Sequence, residues 1–295
     1  FNSRVNIELT YFDKRSKDAL ISRPLPPSQG TAGSRFENLG EIQNNGWEAV
    51  LNAVLIDSRN VGWDLTIAGS KLANKVLDMG PVPPIRGSTN STIEGYSLNG
   101  YWLRPLSFKD ANGDGMIALS EITVGDTTEY VGNSQPTEEI TLYTGLELFS
   151  RKVRLSANLD FKGGAYQNNG TDRIRCESRL NCRGTVDPKA PLREQAAAVA
   201  VRQHASRTQT GYVEKMDFLR FREVAATWTM PAQWAQLLYA QAATVTFAAR
   251  NIGFISNYSG MDPETGYFAS NSGGQSDFQS APPPSYFTFR LNLTF

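Results

Sequence analysis

At 295 residues the chain is long enough for one large domain or two ordinary ones. Its 29 basic and 29 acidic residues cancel, which excludes the visibly basic surface of a nucleic-acid-binding protein. Mean hydropathy is −0.36 and no apolar run approaches the ~20 residues of a membrane helix, but a β-barrel escapes both tests because only alternate residues of its strands face lipid.

The sequence shows neither a secretory signal nor an initiating Met, and Phe1 opens inside what reads as a strand. The expectation is a mature product or a fragment. Val5, Ile7, Leu9 and Tyr11 alternate with Asn6, Glu8 and Thr10. Trp47, Ala49, Leu51, Ala53 and Leu55 repeat the pattern, as do Val61, Trp63, Leu65 and Ile67. So do Val153, Leu155, Ala157, Leu159 and Phe161, set between Arg154, Ser156, Asn158 and Asp160. The last eleven residues, Ser285 to Phe295, place Phe287, Phe289, Leu291, Leu293 and Phe295 on one face. This is the period-2 signature of strands with one apolar and one polar face. A strand that runs to the last residue and ends on an aromatic suits a barrel seam, because an open edge in lipid leaves backbone groups unsatisfied.

Eight strands are predicted, over 4–22, 40–56, 60–75, 138–149, 152–163, 211–229, 243–253 and 285–295. In 211–229 the alternation slips between Phe218 and Val224, which predicts a β-bulge. Asp57 to Asn60 and Ser150 to Lys152 read as tight turns, whereas 76–137, 163–210 and 254–284 are long and rich in Gly, Pro, Ser and Asn. If the first strand runs outward, both tight turns fall inside, the long loops fall outside and the last strand ends inside. That is outer-membrane barrel anatomy. Helices are expected at Pro191 to Ser206, within an outer loop, and at Pro231 to Ala240, in an inner connection. Neither is long enough to cross lipid.

Asp110, Asn112, Asp114, Gly115 and Glu121 occupy every defined place of the twelve-residue EF-hand calcium pattern. Asp110, Asn112 and Asp114 would offer side-chain oxygens, Met116 its carbonyl and Glu121 both carboxylate oxygens. The flanks do not read as amphipathic helices. The loop is therefore either a calcium site without the EF-hand frame or a polar turn. Cys176 and Cys182 are the only cysteines. A short-loop disulfide in an oxidising compartment is expected, with two free thiols as the alternative. Arg173, Arg175, Arg179 and Arg183 flank them, either to meet an anionic ligand or lipopolysaccharide, or to pair locally with Asp172, Glu177 and Asp187. Tyr96, Tyr101, Trp102, Tyr258 and Tyr267 are candidates for stacking on sugars, for an interfacial belt, or, for most of them, for packing the loops. No nucleophile elbow, phosphate loop, His-Glu metal signature or carboxylate pair is found, so no catalytic residues are expected. His204 reads as a helix-surface residue.

NLGEIQNNGWEAVL (38–51), FKDANGDGMI (108–117), YVGNSQPTEEITLYTGLELF (130–149), GYVEKMDFLRFREVAATWTMP (211–231), AARNIGFISNYSGMDPE (248–264) and the Phe-ended final strand together resemble the TonB-linked outer-membrane receptors of the SusC/RagA type. The resemblance spans nearly the whole chain in order. It implies an all-β, antiparallel transmembrane barrel of about 22 strands with a plugged lumen, of which residues 1–295 would be the C-terminal part. The plug domain, the TonB box and the first strands would lie outside this sequence. It further implies a non-enzymatic importer in the bacterial outer membrane, in contact with lipid. Its partners would be TonB, engaged through that N-terminal region, and a SusD-like surface lipoprotein acting as a lid. The cargo would be a glycan or a peptide. The competing expectations are a soluble, calcium-dependent carbohydrate-binding β-sandwich and a passive porin or adhesin barrel.

Overall fold

The computed structural model describes residues 4–25, 28, 33–80, 82–266 and 276–295. Phe1 and Tyr267, both named above, lie outside the described residues. Eight strands form one antiparallel sheet in chain order: Val5–Pro24, Ser34–Asp57, Gly62–Asp78, Glu138–Leu148, Val153–Gly163, Phe218–Thr229, Ala242–Ser256 and Tyr286–Thr294. Each predicted wall strand is present, and most bounds agree within a few residues. The exceptions have local causes. Strand Ser34–Asp57 starts earlier because its register with strand Val5–Pro24 continues down to Ser34 opposite Pro24. The predicted 211–229 strand is divided. Its first part becomes a 3₁₀ turn, Thr210–Tyr212, and a short strand, Val213–Lys215, within the loops. The break lies at Asp217, whose Oδ1 accepts from Gly164 N at 2.9 Å and whose carbonyl accepts from Ser256 Oγ at 2.7 Å.

Register settles which side chains share a face, because directly opposed residues point the same way. One rung across seven strands reads Ile56, Trp63, Leu146, Leu155, Ala226, Phe247 and Phe289. Another reads Val5, Ala53, Leu65, Thr144, Ala157, Val224, Ala249 and Phe287. The opposite face carries Asn6, Asn52, Thr66, Tyr143, Asn158, Glu223 and Arg250 on one rung. The alternation seen in separate segments thus becomes a continuous apolar surface. It is not a core. Ile7 is 69% exposed, Leu9 66% and Phe287 and Phe289 71% each. A soluble sandwich would cover these side chains with a second sheet, since apolar burial is its main stabilising term. Among the described residues nothing does so. The wall is an arc of a transmembrane β-barrel, and no helix among the described residues is long and apolar enough to cross a membrane.

The bulge falls at Arg222, where the register of strand Phe218–Thr229 skips one residue against both neighbours. The tight turns are tied to each other. Ser150 N donates to the Asn60 carbonyl at 3.2 Å, Ser150 Oγ meets Asn60 Oδ1 at 3.1 Å, and Arg151 pairs with Asp57. The long loops have structure of their own. They hold a four-stranded sheet (Ile85–Arg86, Asn90–Thr92, Gly100–Leu103, Glu129–Gly132), a two-stranded ladder (Leu106–Phe108 with Ile122–Val124) and a three-stranded sheet (Tyr166–Asn169, Val213–Lys215, Ser276–Asp277). The expected helices appear as Leu192–Gln203 and Ala232–Leu237. Most of the fully buried side chains lie in this loop layer, not in the wall. One cluster there joins Cys176, Cys182, Ala197, Ala198, Val201 and Tyr212.

Candidate functional site

The inward face of the wall is laced with ion pairs. Arg154 reaches Asp64 at 2.8 Å and Glu147 at 3.2 Å across two neighbouring strands. Lys162 meets Glu139 at 3.4 Å. Such pairs are partly hydrated and individually worth little. Together they keep the inner surface polar and its side chains ordered.

Toward the outer end the pairing becomes dry. Arg220, on strand Phe218–Thr229, and Asp262, in an outer loop, are each 2% exposed at the side chain and form an ion pair. Arg220 Nη1 also donates to Asn251 Oδ1 at 2.6 Å, while its Nε lies 2.6 Å from Glu264 Oε2 without hydrogen-bond alignment. The guanidinium stands 5.5 Å from the Phe218 ring centre and 5.0 Å from that of Phe254. Arg222, pushed out of register by the bulge, donates to Asp160 and to Glu264. The bulge therefore lets two arginines two residues apart grip one loop, and the acids of that loop neutralise both. These residues were not singled out in the sequence. The only signal was the pair of arginines at a slipping alternation and the pair of acids around Pro263.

The loop 110–121 is wound around its own acids. Asp110 accepts from Gly113 N at 2.7 Å and Gly115 N at 3.0 Å. Asn112 Oδ1 accepts from Asp114 N at 3.0 Å, and Asp114 Oδ1 from Met116 N at 2.8 Å. Glu121 accepts from Ala111 N at 2.9 Å and, through its other oxygen, from Ala118 N at 3.0 Å. Gly113 and Gly115 have φ of +74° and +77°, a left-handed backbone that a side chain would strain. The ends are closed by a β-ladder in which Phe108 faces Ile122. The flanks are thus not helices, as their sequence indicated. Helix Leu192–Gln203 lies against the loop: Ile117 N donates to Gln195 Oε1 at 3.0 Å and Gln195 Nε2 donates to the Gly115 carbonyl at 3.1 Å. Ile117 and Ile122 pack with Ala196 and Ala200. Among the described residues no three His, Cys, Asp or Glu side chains converge as a metal cluster.

Cys176 and Cys182 form a disulfide. The neighbouring arginines largely follow the local-pairing alternative: Arg173 pairs with Glu177, Arg175 with Asp172 at 3.5 Å and Arg183 with Asp187 at 3.5 Å. His204 Nδ1 sits 2.8 Å from Ser206 Oγ in a local turn. Of the aromatic candidates, Tyr96 and Trp102 cluster with Tyr130, ring centres 4.7 to 5.5 Å apart. Tyr101 and Tyr258 are buried, contrary to the idea that they stand open to sugars. Tyr101 accepts from Asn168 N at 3.2 Å, and Tyr258 donates to Asp277 at 2.6 Å. Burial, and then that bond, pushes the Tyr258 phenol well up.

A family model for the TonB-dependent receptor-like β-barrel matches residues 1–138. TonB-dependent receptor P26 of Formosa agariphila is 26% identical across 100% of this chain and 33% of its own length. TonB-dependent receptor SusC of Bacteroides thetaiotaomicron is 21% identical across 99% of this chain and 30% of its own length. A solved structure of the RagAB peptide importer in its closed-closed state superposes with a TM-score of 0.77 at 16% identity, covering 100% of this chain and 34% of that one. The chain thus spans about a third of the length of the relatives it matches. Those relatives are named as receptors and transporters, not enzymes. The chain is similar along its whole length to TonB-dependent receptors of the SusC/RagA type, which are outer-membrane β-barrel proteins.

Proposed function

We propose that residues 1–295 serve as one barrel portion of an active importer that takes a large nutrient, a glycan or a peptide, across the outer membrane with energy delivered through TonB. A plug domain and the remaining strands belong to the rest of that receptor, where TonB engages it. A SusD-like surface lipoprotein closes over the outer loops. The observation that carries this reading is the exposed apolar face that runs unbroken across eight strands, with the elaborate loops gathered at one end. A polar inner wall suits a hydrated passage, and the dry grip of Arg220 and Arg222 on Asp262 and Glu264 gives the outer loops a fixed seat on that wall. No step of this role needs a catalytic residue.

The loop 110–121 is proposed to hold calcium. Its donors are hard oxygens: Asp110, Asn112, Asp114, Glu121 and the Met116 carbonyl, the set this cation prefers. The backbone amides that meet the carboxylates leave further lone pairs on the same oxygens. A bound cation would fix the loop against helix Leu192–Gln203.

The test is uptake. Cells lacking the gene, and the same cells complemented with it, are offered fluorescent peptides and oligosaccharides with and without a protonophore. The reading expects gene-dependent uptake that stops when the proton gradient collapses. Uptake that persists without the gradient would mean a passive barrel and would overturn it.

A further inference from the structure

The two tight inner turns suit water: Asp57 and Arg59 stand in one, Arg151 and Lys152 in the other. The third inner connection is different. From Val224 to Ala249 the chain holds no charged residue, and this connection lies in the middle of that run. It folds as helix Ala232–Leu237, seated by Ala235, which is fully buried. Its flanks are tied to the wall, Met230 N donating to the Ala243 carbonyl at 2.9 Å and Gln241 N to the Thr294 carbonyl at 2.7 Å. Its large side chains are turned out. Trp234, Leu237 and Leu238 follow one stripe, at i, i+3 and i+4, and all three are exposed, Leu237 by 79%.

The end of the helix adds a second observation. Tyr239 N donates to the Gln236 carbonyl at 3.0 Å and Ala240 N to the Ala235 carbonyl at 3.1 Å. Tyr239 takes the left-handed position of this closure, with φ of +57°, where glycine is the usual residue. A tyrosine there strains the backbone and gains no packing within the chain, because it is 93% exposed. A ring held in that place points to a medium outside the protein.

The wall identifies the medium. The Trp234 ring meets the Trp228 ring edge-on, centres 5.3 Å apart. Trp228 belongs to the outward rung Leu148, Val153, Trp228, Val245 and Leu291. The stripe therefore continues the lipid-facing surface past the end of the strands. Tryptophan and tyrosine favour the membrane boundary, where the ring is apolar and its N–H or O–H stays wet. With no charge in the connection, neither an ion-paired protein nor attraction to anionic headgroups accounts for it.

We propose that helix Ala232–Leu237 lies in the surface of the phospholipid leaflet at the inner end of the barrel. Trp234, Leu237 and Leu238 dip into the acyl boundary, and Tyr239 stands at the headgroups. The helix thereby fixes the depth of strands Phe218–Thr229 and Ala242–Ser256 in the membrane. This rests on the barrel wall and not on the import reading.

The experiment is photolabelling of the full-length receptor in nanodiscs of phosphatidylcholine that include a phosphatidylcholine with a diazirine in its acyl chain. Adducts are mapped by peptide mass spectrometry. They are expected on 232–239 as on 287–291 of the wall, and not on the tight turns 57–60 and 150–152. Molar salt, or replacement of part of the lipid by phosphatidylglycerol, should leave the yield on 232–239 unchanged, since no charge takes part. Leu237→Gln together with Tyr239→Gly should lower that yield about tenfold, because two large side chains leave the apolar phase. The same variant should keep the wall adducts and the thermal stability of the parent, since glycine is at ease in the left-handed position. A yield on 232–239 no higher than on the tight turns, or one that the double variant leaves intact, would overturn the proposal. Protection of Tyr239 from hydroxyl radicals in whole cells without lipid adducts would also overturn it, and would assign the surface to a protein partner.

Discussion

Arg220 and Asp262 meet in a setting almost free of water, 42 residues apart in sequence, and hold an outer loop to the barrel wall. Removing one partner strands a buried charge. Asp262→Ala is expected to cost roughly 3–5 kcal/mol, moderated by Glu264 and Asn251, whereas Arg220→Met combined with Asp262→Leu should cost less than Asp262→Ala alone. Thermal unfolding in detergent, followed by protease sensitivity of residues 257–266, measures both. A double variant weaker than the single would contradict the account.

The calcium proposal gives a separate readout. Adding calcium should protect residues 108–122 from proteolysis, and Asp110→Ala with Glu121→Ala should abolish that protection. Gln195→Ala should reduce it in part, because Gln195 ties the loop to its helix. If calcium leaves the parent unprotected, the loop is a polar turn and nothing more.

The disulfide closes a small loop. The entropy of that closure corresponds to about 2 kcal/mol. Reduction is therefore expected to loosen the loop layer, where Cys176 and Cys182 pack against Ala197, Ala198 and Val201, while the wall stays folded. Hydrogen exchange with and without reductant distinguishes the two layers. Loss of wall protection on reduction would show that they unfold together.

Alkaline pH should weaken the loop layer through Tyr258. Its folded pKa is raised above the unfolded value of 10.0, chiefly by burial and then by Asp277. The stabilising contribution is therefore full below about pH 10 and falls above it, by about 1.4 kcal/mol per pH unit. Tyr258→Phe should remove that share of the slope. Tyr212, raised in the same direction, should keep a second share. An identical alkaline slope in parent and variant would refute the assignment.

The wall was legible because its signal is local. Val153 to Phe161 shows its period within nine residues, and hydrogen bonding to any neighbour preserves it. Even the bulge at Arg222 was visible as a slip in that period. The loop layer carries no such signal. Ile85–Arg86 and Ser276–Asp277 are two residues each, too short to show a period, and each depends on a partner brought by the fold. Tyr101 looked like an open loop aromatic because burial there comes from Leu103 and Val213, the second far along the chain. The grip of Arg220 on Asp262 was hidden for the same reason. The calcium-type spacing was readable in full, since all of its donors fall within twelve residues.

Hydrocarbon, not protein, covers the outward face of the wall. Leu155→Arg and Asn158→Arg compare the two faces of one strand, and refolding titrations into lipid bilayers measure both. Arginine at 155 should cost about 2–4 kcal/mol, whereas at 158 it should cost little, because the inward rung there also holds Glu223. Equal penalties at the two positions would contradict the barrel.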